Sequence, residues 1–197
     1  NLVAIRILQA ITPEYARDYL ARFGFNPKHH PPYLTMALGA GSTTPLEMAR
    51  GYAVFANGGY LVEPYFISHI EDIEGNLIFK TKSQRKRTTA DQVLDTRNVF
   101  TMSSLLRNVI QTGTGIRAKS LRRKDLAGKT GTTNDNIDAW FAGFQRRVVA
   151  ITWVGKDQPG PLGDKETGSK AALPIWIDYM KTALKEFPEE KPLARPE

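Results

Sequence analysis

The chain has 197 residues, with 27 Lys plus Arg against 20 Asp plus Glu, no cysteine and 41% hydrophobic residues, which is the make-up of one folded domain able to bury a sizeable core. Charged residues at 24%, with 16 Gly and 12 Pro, exclude collagen-like, mucin-like and disulfide-scaffold chains and argue against wholesale disorder. No stretch approaches the roughly 18 consecutive apolar residues of a membrane span, and the net charge of +7 speaks to association rather than to chemistry.

The chain opens on Asn1 and runs into Leu2-Val3-Ala4-Ile5 with neither an initiator Met nor a leader, so it reads as part of a longer polypeptide. Leu2, Ile5 and Leu8, with Val3, Ile7 and Ala10, recur at helical spacing behind Asn1 as N-cap. Thr12-Pro13-Glu14 opens a second helix through Tyr15, Tyr19, Leu20 and Phe23, which Gly24 closes. Residues 26–32 read as a loop. Thr44-Pro45-Leu46-Glu47 is a capping box that starts a third helix, and Asn57-Gly58-Gly59 stops it. Two β-branched and aromatic runs, 64–72 and 76–80, flank Glu74-Gly75 as a hairpin, and a polar loop follows over 80–90.

Asp95 caps a helix carrying Val99, Met102, Leu106, Val109 and Ile110, broken by Thr112-Gly113-Thr114-Gly115. Three strands then follow as an antiparallel meander, over 126–133, 139–144 and 147–154. After a Gly- and Pro-rich connection over 155–168, helical spacing returns over 171–187. The tail, 188–197, holds three prolines and is expected to be loose. There is no internal repeat and no second domain.

The triplet Gly128-Lys129-Thr130 also ends the phosphate loop G-x-x-x-x-G-K-[ST], but the first glycine of that loop would fall at Arg123, and a strand follows where a helix is required. The better reading is Lys129-Thr130-Gly131 on a strand at the edge of an active site. Alternation puts Thr130 and Thr132 on one face and Lys129 and Gly131 on the other, so two hydroxyls can meet one carboxylate. Gly131 leaves room for an extended peptide to pair with the strand, its carbonyl aimed at a backbone N–H.

The triplet continues into Thr132-Thr133-Asn134, Asp138-Ala139-Trp140-Phe141-Ala142-Gly143-Phe144 and Trp153-Val154-Gly155, and this run strongly resembles the transpeptidase domain of class A penicillin-binding proteins. Leu38-Gly39, Thr44-Pro45-Leu46-Glu47-Met48-Ala49, Phe55-Ala56-Asn57-Gly58-Gly59, Thr112-Gly113-Thr114-Gly115 and Ala171-Ala172-Leu173-Pro174-Ile175-Trp176 are similar to that family's landmarks and come in its order. The resemblance implies an α/β fold of the α+β type, an antiparallel sheet packed against helices, with residues 1–187 forming the C-terminal part of the domain.

It also implies a peptidoglycan DD-transpeptidase that works through a serine acyl-enzyme on stem peptides and is inhibited by β-lactam antibiotics. Lys129 and Thr132 are the implied catalytic residues. Asn1, Thr130, Gly131, Thr132 and Thr133 are the implied substrate-binding residues, with Asn1 ending a Ser-x-Asn motif whose serine lies upstream. The acylating Ser-x-x-Lys is expected in the upstream half of the same domain, so this chain alone is expected to be inactive. The one literal match, Ser83-Gln84-Arg85-Lys86, sits in the polar loop and lacks the apolar burial that would make its lysine a base. The family further implies an extracytoplasmic, periplasmic location through an N-terminal membrane anchor outside this chain.

The basic clusters 80–87 and 117–124 read as solvated loops without the interleaved aromatics of a base-stacking surface, so no nucleic-acid partner is expected. His29, His30 and His69 lack metal-ligand spacing, and neither metal nor cofactor is expected. A β-lactam-sensing domain and a basic polyanion-binding module are the readings from other classes.

Overall fold

The structure, a computed structural model, describes residues 1–81 and 91–191. The polar loop beyond Thr81, the Ser83–Lys86 match within it, and residues 192–197 lie outside the described residues. Helix α1 spans Leu2–Ile11, and α2, Pro13–Ala21, starts where the Thr12 hydroxyl accepts from the Tyr15 N–H. Asn1 stands at the N-cap of α1, but its side chain makes no capping bond. The stretch read as a loop after Gly24 carries two 3₁₀ turns, Pro27–His29 and Leu34–Leu38.

Helix α3, Pro45–Ala56, has the full capping box: the Glu47 N–H donates to the Thr44 hydroxyl at 3.2 Å, and the Thr44 N–H donates to the Glu47 carboxylate at 2.8 Å. It ends at Asn57, and Gly59, at φ 102°, brings the chain so close to Leu94 that a Cβ there would lie 2.1 Å from the Leu94 carbonyl oxygen. The hairpin pairs β1, His69–Glu71, with β2, Leu77–Lys80, through a register shift after Ile70. Its first strand is much shorter than the run 64–72 suggests. The Asp72 carboxylate accepts from the Glu74 and Asn76 N–H groups at the turn, so side-chain capping takes over where the ladder stops.

Helix α4, Thr96–Gln111, is capped by Asp95, whose carboxylate accepts from the Arg97 N–H at 2.8 Å. The meander follows: β3, Ala127–Thr132, pairs antiparallel with β4, Ala139–Gln145, and β4 pairs with β5, Val148–Val154. Register fixes the faces. Thr130 stands opposite Phe141 and Thr132 opposite Ala139, while Lys129 faces Ala142 and Gly131 faces Trp140.

On the threonine face, Ala139 and Phe141 pack with Ile110, Leu173, Trp176 and Met180, all nearly or wholly inaccessible to solvent. On the lysine face, Ala127 and Phe144 pack with Ala56 of α3 and Leu106 of α4, with Tyr52 and Phe55 alongside. Because Leu106 belongs to one cluster and Ile110 to the other, α4 straddles the margin of the sheet beside β3. Ala127 and Gly128 are accordingly buried, whereas the strand from Lys129 onward is exposed or half-buried.

The last helix, α5, Leu173–Ala183, is shorter than the apolar pattern over 171–187. A π-turn, Gly168–Ala172, precedes it, because the chain must leave β5 and lie down on the strands before α5 can begin. Past α5, residues 188–190 of the tail read as loose are bonded to the fold. The Glu190 N–H donates to the Asp125 carboxylate at 3.0 Å, the Arg123 guanidinium donates to the Phe187 and Pro188 carbonyls, and Arg146 and Arg147 both pair with the Glu190 carboxylate.

Nor is the cluster 117–124 wholly solvated. It falls largely on a 3₁₀ segment, Ile116–Leu121, and the Arg123–Asp125 pair behind it is 2.6 Å apart, with side chains only 14% and 4% exposed. Burial alone would raise the Asp125 carboxyl pKa, but the hydrogen bonds from Arg123 and the Glu190 N–H, with the Arg123 charge, outweigh it and hold the group below the usual range. Its stabilising contribution is therefore complete above the unfolded value, about 3.9, and is lost as pH falls through the lower folded value. Asp125→Asn is expected to lower the melting temperature at neutral pH and to flatten the acid limb of stability. Thermal melts across that limb check this, and an unchanged acid limb would contradict it.

Candidate functional site

The site is built where α4 ends and β3 emerges. Thr112 and Gly113 terminate α4, and the N–H groups of Gly113 and Gly115 both reach the Val109 carbonyl at 3.0 Å. Gly115 is buried, and a Cβ on it would touch Ile110, the Val109 carbonyl and Phe141 at 3.3 to 3.5 Å. That tight turn delivers Thr114 to the strand, with its hydroxyl 2.6 Å from the Thr130 hydroxyl.

Lys129 projects from the opposite face, and its Nζ donates to the Thr130 carbonyl at 2.9 Å. Partial burial lowers its pKa, because crowding removes water from the ammonium without supplying a carboxylate. Among the described residues, no serine is hydrogen-bonded to it. The Thr132 hydroxyl accepts the Gly168 N–H at 3.0 Å. Gly168 can come that close only as glycine, since a Cβ there would lie 2.4 Å from both the Gly131 and Trp140 carbonyl oxygens.

Gly131 and Thr133 also have parts in the fold itself. A Cβ at Gly131 would lie 3.1 Å from the Cβ of Trp140, so the missing side chain makes room for β4 on the lysine face. The Thr133 side chain belongs to the turn: its hydroxyl accepts the Asp138 N–H at 2.7 Å, and the two residues also share a backbone bond of 3.1 Å. Asp138 in turn holds the indole N–H of Trp153 at 2.8 Å, which sets that ring 6.0 Å from Trp140.

Lys129, Thr130, Gly131 and Thr132 therefore come together on one exposed half-strand, joined by Thr114 and Gly168. Asn1 lies at the start of α1, and no hydrogen bond or ion pair among the described residues ties it to β3. Sequence reasoning missed Thr114 and Gly168 as parts of the site. Thr114 read as a helix breaker and Gly168 as the end of a loop, although each stands next to a glycine-dependent turn.

An antiparallel sheet with helices on both faces and a Lys-Thr-Gly strand at its margin is a transpeptidase-type α/β fold. The profile of the penicillin-binding protein transpeptidase domain matches residues 1–181. The chain is 47% identical over 188 residues to penicillin-binding protein 1A of Neisseria lactamica, covering 95% of this chain and 24% of that protein. The crystal structure of penicillin-binding protein 1A from Haemophilus influenzae superposes with a TM-score of 0.91 at 38% identity, over 100% of this chain and 34% of that one. At 23% identity, the penicillin-binding protein PonA1 from Mycobacterium tuberculosis shares the fold, with a TM-score of 0.79 over 98% of this chain and 56% of that one.

The chain belongs to the penicillin-binding protein transpeptidase family. It spans about a quarter of the length of the curated relatives it matches. Among the described residues, no helix is long and apolar enough to cross a membrane.

Proposed function

We propose that this chain is the C-terminal part, over residues 1–187, of a serine DD-transpeptidase domain whose nucleophile lies in the upstream half. The observation that carries the reading is the exposed or half-buried half-strand from Lys129 to Thr132, with a cation on one face and two hydroxyls on the other, along a strand margin that pairs with no other strand among the described residues, in a chain 47% identical to a penicillin-binding protein 1A. The substrate is the D-Ala-D-Ala end of a peptidoglycan stem peptide. The serine oxygen bonds to the carbonyl carbon of the penultimate residue and the peptide C–N bond breaks. A proton goes to the departing amine, so D-Ala leaves, and an amine of a neighbouring strand then displaces the ester.

In this scheme Lys129 provides positive charge beside the reacting centre. Its partial desolvation strengthens that field, because less water screens it. Thr130 and Thr132 donate to the terminal carboxylate of the peptide, and the Thr132 N–H contributes to the oxyanion hole. Gly131 leaves room for the peptide to pair along the strand, Thr133 holds the strand's end through Asp138, and Asn1 positions the stem peptide. β-Lactams acylate the same serine as ring-opened esters. The parent protein works on the periplasmic side of the membrane and is anchored by a segment outside this chain.

Labelling the complete protein with fluorescent penicillin, followed by digestion and mass spectrometry, tests this. The label is expected on a serine outside these 197 residues. A label on Ser83 or any other residue of this sequence, or no label on the folded protein, would overturn the assignment.

A further inference from the structure

We propose that Thr114 and Gly168, both outside the Lys-Thr-Gly strand, are positioning residues that set the proton directions of the Thr130 and Thr132 hydroxyls, so that each presents a donor to a carboxylate. The inference rests on the transpeptidase reading and adds to it the device that makes the site selective for an anionic peptide end.

A hydroxyl has one proton to give and two lone pairs to offer, so what it accepts decides where its proton can point. The Gly168 N–H occupies a lone pair of the Thr132 oxygen at 3.0 Å. No acceptor among the described residues takes the Thr132 proton, which leaves it free for a ligand. Gly168 cannot drift from this bond, because its backbone lies against the Gly131 and Trp140 carbonyls with no space for even a methyl group. The donor is a fixed backbone amide, not a side chain that must be ordered when the ligand arrives.

The Thr130 oxygen is 2.6 Å from that of Thr114, and one proton lies between them. If Thr130 gave that proton, its lone pairs would face an incoming carboxylate and repel it. An anion therefore selects the other arrangement, in which Thr114 donates to Thr130 and Thr130 donates to the anion. Hydrogen bonds chained in this direction polarise and strengthen one another. Thr114 is held for the task by the Gly113 and Gly115 N–H groups that close the turn on Val109. Thr130 and Thr132 leave the same face of β3, so the two oriented donors converge.

The test compares two ligands on the complete enzyme: a penicillin with its free carboxylate, and the same penicillin as its methyl ester. Thr114→Val is expected to slow acylation by the carboxylate form about tenfold while the ester changes within about twofold. Thr114→Ser, which keeps the hydroxyl, should restore the carboxylate rate. Equal losses on both ligands, no loss at all, or failure of serine to rescue would overturn the proposal. For Gly168 the readout avoids mutating a residue that sterics forbid changing: amide hydrogen exchange at Gly168 should accelerate in Thr132→Val and not in Thr132→Ser. Unchanged exchange in Thr132→Val would remove Gly168 from the device. Lys129→Ala separates the two levels of the argument. If it leaves acylation by both ligands intact, the transpeptidase site itself is misassigned. If it impairs acylation while Thr114→Val shows no preference between the ligands, only this inference fails.

Discussion

Lys129→Ala in the complete enzyme is expected to slow acylation by about a hundredfold to a thousandfold, the usual cost of removing one electrostatic contact to a developing oxyanion. The melting temperature should barely move. Among the described residues its ammonium, although partly desolvated, bonds only to the neighbouring Thr130 carbonyl and to no distant part of the chain, so little of the fold depends on it. Partial burial also predicts a pH signature. A lysine whose pKa is lowered loses its charge earlier on the alkaline side than an ordinary one, near 10.4, so the acylation rate should start to fall below that value as pH rises. Stopped-flow acylation across the alkaline range measures both effects, and near-normal rates in folded Lys129→Ala protein would remove this residue from the site.

Trp176→Ala should be the most damaging core substitution, costing about 3–5 kcal/mol of stability. The indole is completely buried, 4.9 Å from the ring of Phe141, and donates its N–H to the Ala150 carbonyl at 3.1 Å. It also presses against Gly143, where a Cβ would lie 2.7 Å from the ring, so strand and helix were fitted to each other at this point. Removing it leaves a cavity under β4 and an unsatisfied carbonyl on β5. Urea unfolding should show a lower midpoint with little change in slope. A loss below about 1 kcal/mol would mean the neighbouring side chains collapse into the gap.

What the sequence made legible followed from local chemistry. The Thr44–Glu47 box, the Asp95 cap and the Glu74-Gly75 turn depend on residues within a few positions of one another, and all three have the expected form. The meander was legible because β3, β4 and β5 are consecutive and alternate cleanly, so the faces of Lys129 and Thr130 followed from parity alone. Contacts between distant segments left no local signal. Nothing near Gly168 announces a bond to Thr132, 36 positions away, and nothing in the prolines after Phe187 announces that Asp125 and Arg123 hold residues 188–190. The start of α5 was misplaced for a related reason. Ala171 and Ala172 suit a helix, but their place against the strands imposes a wider turn.

The position of α4 beside β3 carries one more consequence. An open strand margin is a template that will zip up with any extended chain, including another copy of itself, and long uncovered margins invite aggregation. Here α4 packs on the strand at Ala127, the strand is buried as far as Gly128, and among the described residues no strand pairs with the outer side of Lys129 to Thr132. At about 3.3 Å per residue, that stretch admits only a few residues of a visiting chain. Under the proposed function a short peptide end docks there, whereas a long strand would find its register cut off by a helix. The helix that shortens the open margin therefore also limits the length of any chain that can pair with it.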